Sequence, residues 1–85
     1  MSIAKFRKEI EQINSKILRL LAKRNNISKK IGEYKKKNKM KIIDRKKEKE
    51  IFIKIKSQSK QLGLNGKFTK DIFKRIIKES KSLQK

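Results

Sequence analysis

The feature that most constrains this chain is its opening stretch, from Ser2 to about Lys39, which carries one helical periodicity without a break. Apolar side chains fall at Phe6, Ile10, Ile13, Ile17, Leu20, Leu21, Ile27, Ile31 and Tyr34. Steps of three and four keep them on one face of a helix. At about 1.5 Å per residue, that helix is roughly 50 Å long. Compact chains of 85 residues have a radius of gyration of about 12 Å. The other half of the chain is too short to bury such a rod, so the pattern predicts a second copy, or another partner, along it.

The seam has one irregularity. Between Leu20 and Ile27 its next slot, position 24, holds Arg24, and Arg7 and Lys35 sit on the edge of the same face. Two further irregularities follow along the chain. After the basic run Lys36 to Lys41, which suits the negative end of a helix dipole, Ile42 and Ile43 are expected to pin the connection to the core. Asp44 is a good N-cap for a second helix from Arg45 to about Leu62, with Glu48 in its first turn. The apolar face of that helix is Ile51, Phe52, Ile55 and Leu62, and Gly63 stops it. Glu48 shares the face of Ile51 and Phe52, so a carboxylate lies on a core stripe, with Lys47 beside it. Past Gly63, Leu64, Asn65 and Gly66, a third helix runs to the C-terminus with Phe68, Ile72, Phe73, Ile76, Ile77 and Leu83 as its expected buried face. Ser80 and Gln84 continue that stripe with polar groups.

Composition narrows what such a chain can do. It is expected to form one all-α domain over residues 1–85, with three helices, one of them very long. There is no cysteine, so disulfides and thiolate metal sites are out of reach. There is no histidine either, which removes the usual general base near neutral pH and the commonest metal ligand. Charges in the first ten positions argue against a signal peptide, and no apolar run is long enough to span a bilayer. A cytoplasmic location is expected. The net charge of +20 invites a nucleic-acid reading. Lysine, isoleucine and asparagine share AT-rich codons, however, and a biased genome fills solvated faces with lysine whatever the protein does.

Arg24, Glu48, Ser80 and Gln84 thus occupy core stripes on three helices, and buried polar groups must find partners. Packing along a common seam gathers them into one polar pocket, lined with positive charge by Arg7, Lys35 and Lys47. Two arginine forks favour a small anion bearing carboxylates or phosphates. Without a triad, a metal cluster or a glycine-rich phosphate loop, what remains is binding, or catalysis by positioning and fixed charge.

The chain resembles the all-helical (AroQ-class) chorismate mutases over nearly its whole length. The resemblance rests on Phe6-Arg7-Lys8-Glu9-Ile10, Leu20-Leu21-Ala22-Lys23-Arg24 and Ile31-Gly32-Glu33-Tyr34-Lys35. It continues in Asp44-Arg45-Lys46-Lys47-Glu48, Ile76-Ile77-Lys78-Glu79-Ser80 and Leu83-Gln84. It implies an intertwined homodimeric helical bundle that rearranges chorismate to prephenate, a Claisen rearrangement on the route to phenylalanine and tyrosine, with no cofactor. By the resemblance, Arg24 and the other subunit's Arg7 clamp the two substrate carboxylates. Lys35 and Gln84 meet the ether oxygen, Glu48 holds the ring hydroxyl with Asp44 nearby, and Ser80 contacts a carboxylate. Lys47 stands where the family usually has arginine, which keeps the charge and loses the planar fork. Gln84 lies one residue from the end of the sequence, where fraying is expected, as in a minimal enzyme or a domain cut from a fusion. Rival readings are an isochorismate-pyruvate lyase on the same scaffold, a basic helical nucleic-acid-binding protein, and a structural coiled coil in which Arg24 sets register.

Overall fold

A computed structural model describes residues 2–85, which form three helices. Helix α1 spans Ile3–Lys37, α2 spans Arg45–Gln61 and α3 spans Gly66–Gln84. Each begins on a side-chain cap that satisfies an otherwise orphaned N–H. Ser2 accepts from the Lys5 N–H, Asp44 from the Lys47 N–H at 3.1 Å, and Asn65 from the Phe68 N–H at 3.1 Å. Asn65, expected only as part of a connection, is therefore the start signal of α3. The first helix stops two residues before Lys39, because Lys39 takes a φ of 54° and the Met40 N–H folds back to the Lys35 carbonyl at 2.7 Å. Gly63, at a φ of 70°, supplies the left-handed residue that ends α2.

Helix α3 packs against both other helices, which do not approach each other. Its contacts fix the directions. Arg24 and Ser28 meet Ser80 while Lys35 meets Gln84, so α1 and α3 run parallel. Ser59 meets Thr69 while Glu48 meets Lys81, so α2 and α3 run antiparallel. The C-terminal ends of α1 and α3 and the N-terminal end of α2 therefore converge.

The chain measures 57 × 24 × 15 Å with a radius of gyration of 16.1 Å, far from the compact value. Ile77 is the one buried apolar residue among those described, and its buried companions Ser28, Ser59, Thr69, Ser80 and Gln84 are polar. Each polar group has a hydrogen-bond partner. This corrects the expected core in several places. Phe68 and Ile72 on α3, Leu62 on α2 and Ile43 in the connection are exposed. The reason lies in the rotation of α3. Its contact stripe is Thr69, Ile77, Ser80 and Gln84, whose small or slender side chains let helices come close, while Phe68, Ile72 and Ile76 form a neighbouring stripe turned by one residue. Among the described residues, no helix is long and apolar enough to cross a membrane.

Candidate active site

Where the three helix ends converge they enclose a hollow of about 330 Å³. Its polar lining is Arg24, Ser28 and Lys35 from α1, Asp44, Lys47 and Glu48 from the start of α2, and Ser80, Lys81 and Gln84 from α3, over an apolar floor of Ile31, Ile42, Ile51 and Ile77. The stripe on α1 is periodic: positions 24, 28 and 35 follow one another by four and seven. The α3 residues follow Ile77 in the same way, and the first turn of α2 faces them both.

Hydrogen bonding in the hollow is specific. The Ser80 hydroxyl donates to the Ile76 carbonyl at 3.1 Å and accepts from Ser28 Oγ at 3.1 Å and from Arg24 Nη1. One donor and two acceptor positions are all a hydroxyl has, so Ser80 is saturated and fixes the Arg24 guanidinium. Lys35 Nζ donates to the Ile42 carbonyl at 3.0 Å and to Gln84 Oε1 at 3.2 Å. Two of its three N–H groups are thereby occupied, and the third is left for a guest, as is the amide NH₂ of Gln84. Glu48 Oε1 pairs with Lys81 Nζ at 2.9 Å. Four cations (Arg24, Lys35, Lys47, Lys81) face two carboxylates (Asp44, Glu48), so the lining is cationic and suits a doubly negative guest. The N-terminal end of α2 adds its own partial positive charge.

Seven of the eight residues singled out from the sequence line this hollow: Arg24, Lys35, Asp44, Lys47, Glu48, Ser80 and Gln84. Gln84, expected to fray, is instead buried as the last residue of α3 and held by Lys35. Arg7 is the exception. It lies on exposed helix, about 25 Å along the axis from Arg24 at 1.5 Å per residue, beyond any reach to its own chain's hollow. Sequence reasoning missed three contributors. Ser28 and Lys81 were legible as members of the stripes carrying Arg24 and Gln84. Gly32 was legible as the sole breaker inside a long helix, and its reason is steric: a Cβ there would lie 2.6 Å from Gln84 Cα and 2.7 Å from the Gln84 carbonyl oxygen. The close approach of α1 and α3 that delivers Gln84 depends on a missing methyl group.

A larger hollow of about 530 Å³ lies between α2 and α3, lined by Phe52, Ile53, Ile55, Lys56, Gly66, Lys67 and Lys70. It has lysines and apolar side chains but no convergent acceptors or opposing charges, and so none of the chemistry of the smaller one.

Comparison with known proteins agrees with this geometry. The chain is 35% identical over 83 residues to a chorismate mutase of Methanocaldococcus jannaschii, covering 98% of this chain and 84% of that one. It is 37% identical over 84 residues to a bifunctional chorismate mutase/prephenate dehydratase of Buchnera aphidicola from Acyrthosiphon pisum, covering 99% of this chain and 22% of that protein. A bifunctional chorismate mutase/prephenate dehydratase of Aquifex aeolicus is 38% identical over 87 residues, covering 98% of this chain and 24% of that protein. This chain thus spans about a quarter or less of the bifunctional relatives it matches. Residues 6–85 match the family described as chorismate mutase type II, and with the all-helical fold and the cationic hollow at its helix ends, the chain belongs to that family.

Proposed function

We infer that the chain is a chorismate mutase, rearranging chorismate to prephenate in the cytoplasm by positioning and fixed charge. The observation that carries this reading is the meeting of Arg24, Lys35, Glu48 and Gln84, from three helices, around one hollow. The reaction is unimolecular and needs the substrate folded into a reactive chair, which is a positioning problem. Arg24 takes one substrate carboxylate. To reach the same carboxylate, the Ser80 hydroxyl turns its one O–H from the Ile76 carbonyl to the guest, while Ser28 still donates to it. The free N–H of Lys35 and the amide of Gln84 meet the ether oxygen, where negative charge grows as the C–O bond breaks. Glu48 accepts from the ring hydroxyl at the start of α2, with Asp44 beside it, and Lys47 adds charge without a fork.

The second carboxylate is met by Arg7 of a second copy, in a homodimer. Two facts support this. The apolar stripe from Ile3 to Leu20 is exposed throughout. Among the described residues Ile77 is the one buried apolar side chain, the rest of the apolar contact between helices being half-buried, which is little core for a fold of this size. A second rod laid along the stripe covers it and carries its own Arg7 to the hollow.

Two measurements test these statements. Incubation with chorismate, followed in the ultraviolet with product analysis, should show prephenate; release of pyruvate would assign the scaffold to a lyase instead. Mixing inactive Arg7→Ala and Arg24→Ala chains should restore about a quarter of the parent activity, because half of randomly paired dimers hold one intact site out of two. No recovery on mixing would remove the shared site.

A further inference from the structure

Lys81 has no part in the roles given above, yet it makes the one ion pair that crosses between helices among the described residues. Its Nζ lies 2.9 Å from Glu48 Oε1, and the two side chains are only 34% and 25% exposed. The other pair, Lys47 with Glu50 at 3.6 Å, is local to α2, one turn apart, and well exposed. Lys81 is held in place by its register. It follows Ile77 by four residues and precedes Gln84 by three, so the stripe that buries both sets it over the first turn of α2.

We propose that Lys81 is a positioning residue, binding the Glu48 carboxylate by one oxygen so that the other stays directed into the hollow for the hydroxyl of the substrate. This rests on the mutase reading and on the part given there to Glu48. Among the described residues Glu48 Oε2 has no hydrogen-bond partner, while Oε1 is taken by the ammonium. The alternative arrangement shows what the pair prevents. Glu48 shares the hollow with Arg24, Lys35 and Lys47. An untethered carboxylate in that setting swings onto the substrate-binding cations and competes with the carboxylates of the guest. Lys81 thus orients the acceptor and keeps the anion clamp open.

The test compares chorismate kinetics of the full chain with Lys81→Met, which keeps the length of the stem, and Lys81→Arg, which keeps the charge. Lys81→Met should lower kcat/KM about fivefold, the scale of a partly exposed ion pair, with the loss falling mainly on KM. Lys81→Arg should restore most of it. In a Glu48→Gln background, Lys81→Met should change nothing further, because the residue acts through that carboxylate. Circular dichroism accompanies each variant, and Lys81→Gln carries the same comparison if the methionine chain loses helix. Parent-like kinetics of Lys81→Met, an arginine variant no better than methionine, or an equal loss in the Glu48→Gln background would each overturn the proposal. A parent chain that leaves chorismate untouched overturns the mutase reading and this with it; an active parent with an unaffected Lys81→Met overturns this alone.

Discussion

From Ile3 to Leu20 every residue of α1 lies open to solvent, whereas from Leu21 to Lys35 the same helix buries Ser28 and Gly32 and half-buries Leu21, Arg24, Asn25 and Lys35. Both halves carry the same apolar periodicity, so periodicity does not explain the difference. In the second half, too, the apolar seam stays largely open, at Ile27 and Ile31. What α3 covers is another stripe, made of small and polar side chains. One helix therefore presents two addresses. The apolar seam is open to solvent, where we propose a second copy, and the stripe of Arg24, Ser28, Gly32 and Lys35 is directed to α3 and the hollow.

This division can be attacked on either side. The largest effect is expected inside the hollow. Lys35→Ala removes the donor proposed for the breaking ether bond, and the loss of one such donor costs about 3 to 4 kcal/mol in turnover. A drop of less than tenfold would take the ether contact away from Lys35.

On the outward seam, Ile13→Lys sets an unpaired charge into the interface proposed with a second copy. It should weaken self-association by about a hundredfold, on the scale of about 3 kcal/mol for an uncompensated buried charge. Sedimentation would measure it, and an unchanged association state would separate the seam from the dimer.

Gly32→Ala sharpens the boundary between the two stripes. It improves local helix propensity by about 1 kcal/mol, yet its methyl group meets the Gln84 backbone at 2.6 Å. The end of α3 must retreat, and turnover should fall about tenfold, since an ångström of misplacement costs up to about a hundredfold, with helix content intact by circular dichroism. Unchanged turnover would show that the close approach is not needed.

The smallest effect is expected at the mouth of the hollow. Lys47→Arg restores a planar fork and should tighten binding of a bicyclic transition-state mimic by about threefold, short of the factor of ten that about 1.4 kcal/mol would give. Weaker binding by calorimetry would show that the fork has no acceptor there.

The three helices were legible because their start signals are local. Asp44 caps and Gly63 stops by chemistry confined to a turn. The members of the site were legible for a related reason: a guanidinium, a carboxylate and an amide on core stripes must find partners, so Arg24, Glu48 and Gln84 announced themselves. The rotation of α3 was not legible. Phe68 and Ile72 carry the larger apolar area and were expected inside, but close approach to α1 and α2 is set by the smallest side chains at the contact, Thr69, Ser80 and Gly32. Nor did spacing reveal that Ser80 is saturated by Arg24, Ser28 and its own helix.

By itself the sequence determined three helices, a rod too long for its own chain to bury, and a set of cationic and acceptor groups due to meet. Tertiary structure decided that the meeting point lies at the joined helix ends, that Gln84 is held firm and not frayed, and that Lys81 stands against Glu48. The reason is range. Caps, stops and periodicity act within a turn or two of the chain, whereas Gly32 against Gln84 and Lys81 against Glu48 depend on how one helix is rotated on another, which no single segment contains.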